Sequence, residues 1–183
     1  AFAGWRTGAP ARIAIPVPPR QTAPAIYLVD RPGSLQSYIV AAGPAPARNA
    51  DDEIGINAFN NVFGGSFNSR INMNLREDKH WSYGAGSSVG GGLDQRVFRA
   101  NAAVQTDKTR ESVQEMAKEL RQILQDRKIT PDELSAAQSE LVLGLPGRWE
   151  TASAVADSLT DVALYGLPED YFATYADRIR AVN

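Results

Sequence analysis

The feature that most narrows the fold lies between Tyr83 and Gln105. Two strand-like runs, Tyr83–Val89 and Arg96–Gln105, are separated there only by the glycine-rich GGGLDQ. Apolar and polar residues alternate in RVFRANAAVQ, which reads as a half-buried strand with Val97, Ala102 or Ala103, and Val104 set on a sheet. Upstream, LQSYIVAAG reads as a further strand. AIYLVD (Ala25–Asp30) reads as its hairpin partner across RPGS, a turn with Pro and Gly at its second and third positions. Helical patterns bracket these strands. Asp51 and Asp52 open a helix carrying Ile54, Ala58, Phe59, Val62 and Phe63, stopped by Gly64-Gly65. A second helix spans roughly Ser66 to Glu77. A third, capped by Thr106 or Asp107, aligns Val113, Met116, Leu120, Ile123 and Leu124. The box TPDE (Thr130–Glu133), with Pro at the first helical position, starts a fourth. Two more run over about 150–165 and 169–182. Antiparallel strands with helices grouped before and after them imply an α+β fold: a largely antiparallel sheet with helices packed on it.

Residues 1–24 differ from the rest. They are rich in Ala and Pro, with Pro10, Pro16, Pro18, Pro19 and Pro24, and read as an extended arm or interdomain linker before a domain at 25–183. At 183 residues and 43% hydrophobic content, the chain is long enough to bury a core. Its formal charge of −2 argues against nucleic acid or an anionic membrane as a partner. No run approaches a membrane span, and no signal-peptide pattern is present. Cysteine is absent and His80 is the single histidine, so the usual His- or Cys-based catalytic zinc site cannot be built from this chain. GAGSSVGGG lacks the strand-then-helix setting of a dinucleotide fingerprint and reads as strand and hairpin tip. GGSFNS lacks the Lys-Ser/Thr of a phosphate-binding loop. No cofactor-binding residue follows from either.

Arg76 and Tyr83 stand apart. They flank a short turn between a helix end and a strand start, so both side chains can reach one edge. A guanidinium fork stays charged at any working pH, and a phenol adds a neutral donor. Two convergent donors suit a carbonyl oxygen that gains negative charge during reaction. The competing reading pairs Arg76 with Glu77 or Asp78 at the surface and packs Tyr83 into the sheet.

The run GGSFNSRINMNLREDKHWSYGAGS, followed in order by VQTDKT, GLPGRWET and LYGLPEDYF, resembles the C-terminal half of pitrilysin/insulinase-type zinc metallopeptidases. The nearest likeness is to bacterial members related to mitochondrial processing peptidase, over about 26–183. The resemblance implies one half of a clamshell, with zinc on the other half in an inverted H-x-x-E-H motif that this chain lacks. It places Arg76 and Tyr83 on the two positions that hold the substrate backbone near the scissile bond. The implied function is the substrate-binding half of a zinc metallopeptidase, orienting a peptide and stabilising the oxyanion. The alternative is a non-catalytic scaffold or peptide-binding subunit of the same family. The implied partners are a zinc-bearing half, as an upstream domain or a separate subunit, and a peptide. The compartment stays open between bacterial periplasm and cytoplasm. Family members often carry Gly where His80 stands; if that position needs positive φ, His adopts it more readily than most non-Gly residues, at some cost, and the turn between Arg76 and Tyr83 is where this chain departs from the family pattern.

Overall fold

A computed structural model describes residues 23–183 together with Gly4, Gly8 and Pro16. The expected arm at 1–24 therefore lies almost wholly outside the described residues. The sheet has three strands: β1 (Gln36–Ala45), β2 (Ser82–Val89) and β3 (Arg96–Gln105), in the order β1-β3-β2 and antiparallel throughout. Among the described residues, six α-helices complete the α+β plan: α1 (Glu53–Asn60), α2 (Arg70–Asn72), α3 (Thr109–Gln122), α4 (Pro131–Leu143), α5 (Ala152–Tyr165) and α6 (Tyr171–Arg180). Both α1 and α2 widen into π-helical turns, over Asn61–Gly65 and Met73–Asp78.

One face of the sheet is covered. Ala100, Ala102 and Val104 of β3 bury with Phe63, Ile71, Leu75, Met116 and Ile123. The alternation in β3 is as expected, but its phase puts Val97 on the outer face with Tyr38 and Val40, and all three are exposed. A strand has two faces, so one residue of phase decides which set meets the core. A second cluster joins Ile54, Leu145, Leu167, Tyr171, Tyr175 and Ile179, built from α1, α6 and the segments flanking α4 and α5. α1 serves both clusters, sending Phe63 from its π turn to the sheet and Ile54 to the helices.

Several expectations are corrected. Ala25–Asp30 is not a strand; it pairs with no other described segment, and Ile26 is 93% and Leu28 88% exposed. The RPGS turn does form, with Ser34 N–H donating to Arg31 O at 3.1 Å and Gly33 at φ +79°, yet no hairpin closes across it. A strand needs ladder partners, which the local pattern cannot supply. The second helix begins at Arg70 rather than Ser66, after a turn closed by Ser69 N–H to Ser66 O at 3.2 Å. On α3, Met116 and Ile123 are buried as expected and Leu120 packs beside them, while Val113 and Leu124 are exposed. Ser112 and Glu119 take the buried positions instead. Asn74 on α2 donates to Glu119 Oε1 at 2.8 Å, so a polar contact occupies that face.

The Gly pair has a steric reason. A Cβ on Gly64 would lie 2.5 Å from the Ser87 backbone nitrogen and 2.7 Å from Ile71 Cδ1, and one on Gly65 would meet Asn60 O at 2.9 Å. Close approach of the π-helical turn after α1 to β2 demands glycine at 64, and Asn60 in the preceding turn leaves no room for a side chain at 65; neither glycine has a positive φ. The Ser87 hydroxyl then donates to Asn60 Oδ1 at 2.8 Å, fastening helix to strand.

Farther along, α2 is tied to α4 by charge. The Arg70 guanidinium donates through Nε and Nη2 to both carboxylate oxygens of Glu133 at 2.7 Å, and to the carbonyls of Arg127 and Lys128. Glu133 also closes the TPDE capping box, accepting from Thr130 N–H at 2.8 Å. Arg70 chiefly, with the cap bonds assisting against burial, holds the Glu133 carboxyl at about 2.

Two measurements test these contacts. Gly64→Ala should cost ~1–3 kcal/mol or more, because the Ser87 backbone cannot retreat without breaking the β2–β3 ladder. Gly55→Ala in open space on α1 should instead stabilise by ~0.5–1 kcal/mol. Equal effects in denaturant unfolding would rule out the steric account. Separately, Glu133 has a folded pKa below its unfolded one, so its contribution is complete above the ordinary carboxylate value and is lost as pH falls toward about 2. Glu133→Gln should therefore cost about 2 kcal/mol at neutral pH, a figure reduced for the 32% exposure of Glu133. The gap from wild type should narrow between about pH 4.5 and 2. A gap constant over that range would show that the ionised pair contributes nothing.

Candidate functional site

Arg76 sits on the last π-helical turn of α2, and the chain leaves that turn through a left-handed residue. Lys79 N–H donates to Asn74 O at 3.0 Å, His80 N–H to Arg76 O at 3.2 Å and Trp81 N–H to Leu75 O at 3.0 Å. His80 carries φ +56° and is the sole non-glycine with positive φ among the described residues, a conformation His adopts more readily than most non-glycine residues. Its imidazole Nδ1 lies 3.0 Å from Arg76 O and closes the turn from the side. The end of β3 clamps the same turn: Gln105 Nε2 donates to His80 O at 3.1 Å, and Gln105 N–H to Trp81 O at 2.9 Å.

Tyr83 is presented by a β-bulge. Ser82 pairs with Val104 and Ala85 with Ala102, so Tyr83 and Gly84 together oppose Ala103 alone. The Ser82 hydroxyl lies 2.6 Å from Ala103 O and accepts from Gly84 N–H at 3.1 Å, satisfying backbone groups that the bulge unpairs. Tyr83 is left 85% exposed.

The structure brings the two expected residues together. The Arg76 guanidinium carbon lies 5.0 Å from the Tyr83 ring centroid and 4.6 Å from that of Phe67. Cation–π attraction to flanking rings fixes the orientation of the guanidinium plane. Arg76 Nε pairs with Glu77 Oε1 at 3.1 Å, so the surface ion pair is present as well. That pair engages only the Nε side; among the described residues, neither terminal nitrogen takes part in an ion pair. Tyr83 does not pack into the sheet.

Sequence reasoning missed Phe67 and Asn72. The Asn72 carboxamide is buried, donates to Phe67 O at 2.6 Å and accepts from Ala85 N–H at 3.0 Å. It therefore ties the backbone of one aromatic neighbour of Arg76 to the strand that carries the other. The only signal for it is an amide among the apolar residues of RINMNL, a position more readily read as exposed.

The donor set does not fit a zinc ion. Among the described residues, no three His, Cys, Asp or Glu side chains group closely enough to hold a metal, and the one histidine closes its own turn. Also among the described residues, no helix is long and apolar enough to cross a membrane.

The sequence pattern of the peptidase M16 inactive domain matches residues 1–141. No curated protein matches the chain. Solved structures do. The peptidase M16 inactive domain from Pseudomonas fluorescens superposes with a TM-score of 0.75 at 19% identity, over 82% of this chain and 36% of that one. A protease from Helicobacter pylori gives 0.74 at 19% identity, over 85% and 37%. The inactive peptidase domain of a protein assigned as a zinc protease from Bordetella parapertussis gives 0.68 at 18% identity, over 80% and 79%. At such identities the likeness shows the fold. The chain spans little more than a third of the first two structures, 36% and 37% of their length. With the family pattern covering most of its length and the fold agreeing, this chain belongs to the peptidase M16 inactive-domain family.

Proposed function

We propose that the chain is the substrate-binding half of a zinc metallopeptidase, and that Arg76 and Tyr83 hold the peptide backbone at the scissile bond. The observation that carries this reading is the juxtaposition of the two side chains, with an exposed phenol beside a guanidinium whose orientation is fixed by Phe67 and Tyr83. On this reading Tyr83 donates its O–H to a substrate carbonyl oxygen, and the terminal nitrogens of Arg76 donate to the same or an adjacent carbonyl. Both bonds strengthen as that oxygen becomes an oxyanion, so they favour the transition state over the bound substrate. Zinc belongs to the partner half, where it supplies metal-activated water. The Pro-rich residues 1–24 are the connection toward that half, in the same chain or against a separate subunit.

The stack sharpens the test. Tyr83→Phe keeps the ring beside Arg76 and removes only the hydroxyl. In a preparation reconstituted with the zinc-bearing half, it should lower single-turnover rate by roughly 10²–10³ with folding unchanged. Arg76→Ala should cost at least as much and also raise KM, because the guanidinium holds the ground-state backbone too. Arg76→Lys should recover only part, since an ammonium offers neither fork nor stacking plane. Wild-type rates for both Tyr83→Phe and Arg76→Ala would make the pair structural, and the scaffold reading would replace this one.

A further inference from the structure

The sheet has one open edge, and the chain has an apolar segment with nothing to pair with. In the order β1-β3-β2, the outer side of β2 is covered. Asn72 accepts from Ala85 N–H there at 3.0 Å, and the π-helical turn after α1 rests against Ser87. The outer side of β1 is bare: among the described residues, the backbone of residues 38–44 makes no hydrogen bond beyond its ladder with β3. An exposed ladder invites another strand, so native edges are guarded by charge, by proline or by a covering element. β1, with the sequence QSYIVAAGPA, carries no charge, and its one proline, Pro44, stands next to its end.

Residues 25–30 are the matching element. Ile26, Tyr27, Leu28 and Val29 follow one another and are each at least 80% exposed. Consecutive apolar residues of this kind suit a strand that is covered on both faces. Residues 38–41 offer such cover. Ile39 and Ala41 pack toward the core, while Tyr38 and Val40 stand exposed on the outer face. A strand added along this edge finds apolar cross-strand neighbours on either side. The connecting turn keeps the two apart within one molecule. Pro32 has φ locked at about −65°. With Gly33 at φ +79° behind it, the turn has the type II pattern. The two-residue turns whose twist suits a hairpin need positive φ at the first central residue, and a type II turn splays the strands it joins. Segment and edge are therefore directed away from each other, although they are neighbours in sequence.

We infer that residues 25–30 of one copy add as a strand to the β1 edge of a second copy, and reciprocally, so that the chain forms a two-fold dimer. A second copy is the occupant because it carries both elements. The reciprocal pairing uses the open segment and the open edge of each molecule, and it closes at two. The β1 edge lies across the sheet from β2, so this pairing leaves Arg76 and Tyr83 uncovered. The inference does not rest on the roles given to those residues.

The test follows the mass of the 183-residue chain by analytical ultracentrifugation at micromolar concentrations, with mixed labelled and unlabelled protein for intermolecular NOEs. Wild type should sediment at twice the 19.8 kDa mass of one chain. It should also show NOEs between residues 26–29 of one copy and 38–41 of the other. Leu28→Pro removes a ladder N–H at a position that the single molecule leaves unpaired, and Val40→Lys places a charge on the open edge. Each should weaken dimerisation at least about tenfold while the chain stays folded by circular dichroism. Pro32→Asn gives an Asn-Gly turn of the kind that closes hairpins, so it should yield a monomer whose residues 26–29 are protected from hydrogen exchange within one copy. A monomeric wild type would overturn the inference, and so would NOEs between the two segments confined to one copy. Dimers indifferent to Leu28→Pro or to Val40→Lys would place the interface elsewhere. Wild-type dimerisation in Pro32→Asn would remove the turn as the cause and count equally against it. A wild type that stays monomeric, yet binds a zinc-bearing half through Leu28, would assign the strand to that partner and sink the dimer.

Discussion

Gly64 has no side chain, and the placement of the candidate site depends on that. Any Cβ there would occupy the space of the Ser87 backbone, so glycine alone lets the π-helical turn after α1 rest on β2. With that distance set, Asn60 reaches the Ser87 hydroxyl and Ile71 fills the space behind. The chain then turns at Ser66–Ser69 and starts α2 close enough to the same strand for Asn72 to accept from Ala85 N–H. The bulge at Tyr83–Gly84 and the left-handed exit at His80 complete the frame. Each later contact presupposes the earlier one. A small shift at Gly64 would therefore pass along β2 to the position of Tyr83 relative to Arg76.

Buried charge fixes the helices around this frame. Glu53, 1% exposed, receives Arg96 from the first residue of β3 and Arg48 from the loop after β1, and Arg96 Nε also donates to Pro46 O at 2.6 Å. Arg48 extends the network to Asp161 on α5. Replacing a buried ion pair by apolar residues is often nearly neutral, whereas removing one partner leaves an uncompensated charge. The contribution of this network is thus to link α1 to the loop after β1, to the first residue of β3 and, through Arg48, to α5. Arg70 and Glu133 do the same for α2 and α4. The Glu53 network flanks the segment from Gly64 to Tyr83 and the Arg70–Glu133 pair anchors it from within, so the site rests on a segment held at several points.

What could be read from the sequence was local chemistry. The TPDE box, the RPGS turn and the strand at Arg96–Gln105 depend on a few neighbouring residues, and each appears where expected. Ala25–Asp30 failed because its alternation describes a strand only if another strand lies beside it. The phase of β3 could not be read because Val97 and Ala102 fit the pattern equally well until a helix covers one face. The π-helical turns left no trace either, since widening a turn answers to packing against β2 rather than to residue type. Arg76 and Tyr83 were legible as a pair of donors across a turn, with the family resemblance supplying the role proposed for them. Phe67 and Asn72 were not, because each matters only through a residue distant in sequence.

The exposure of Tyr83 bears on how such a site could work. At 85% exposure the phenol is bonded to water, and a hydrogen bond it makes to a substrate there exchanges one partner for another. The same donor gains strength only where water is excluded and the effective dielectric falls. Arg76 is further along that path, since Phe67 and Tyr83 already cover part of its guanidinium and its side chain is 31% exposed. On the proposed reading, closure of the zinc-bearing half over this surface supplies the missing exclusion of water. The pair is then a half-built oxyanion site: correctly oriented by Asn72, the bulge and the aromatic neighbours, but of little energetic consequence until a second surface covers it. An inactive domain that worked in this way would need no metal ligand of its own to matter to the reaction. It needs rigidity at Arg76 and Tyr83, and the frame that begins at Gly64 provides it.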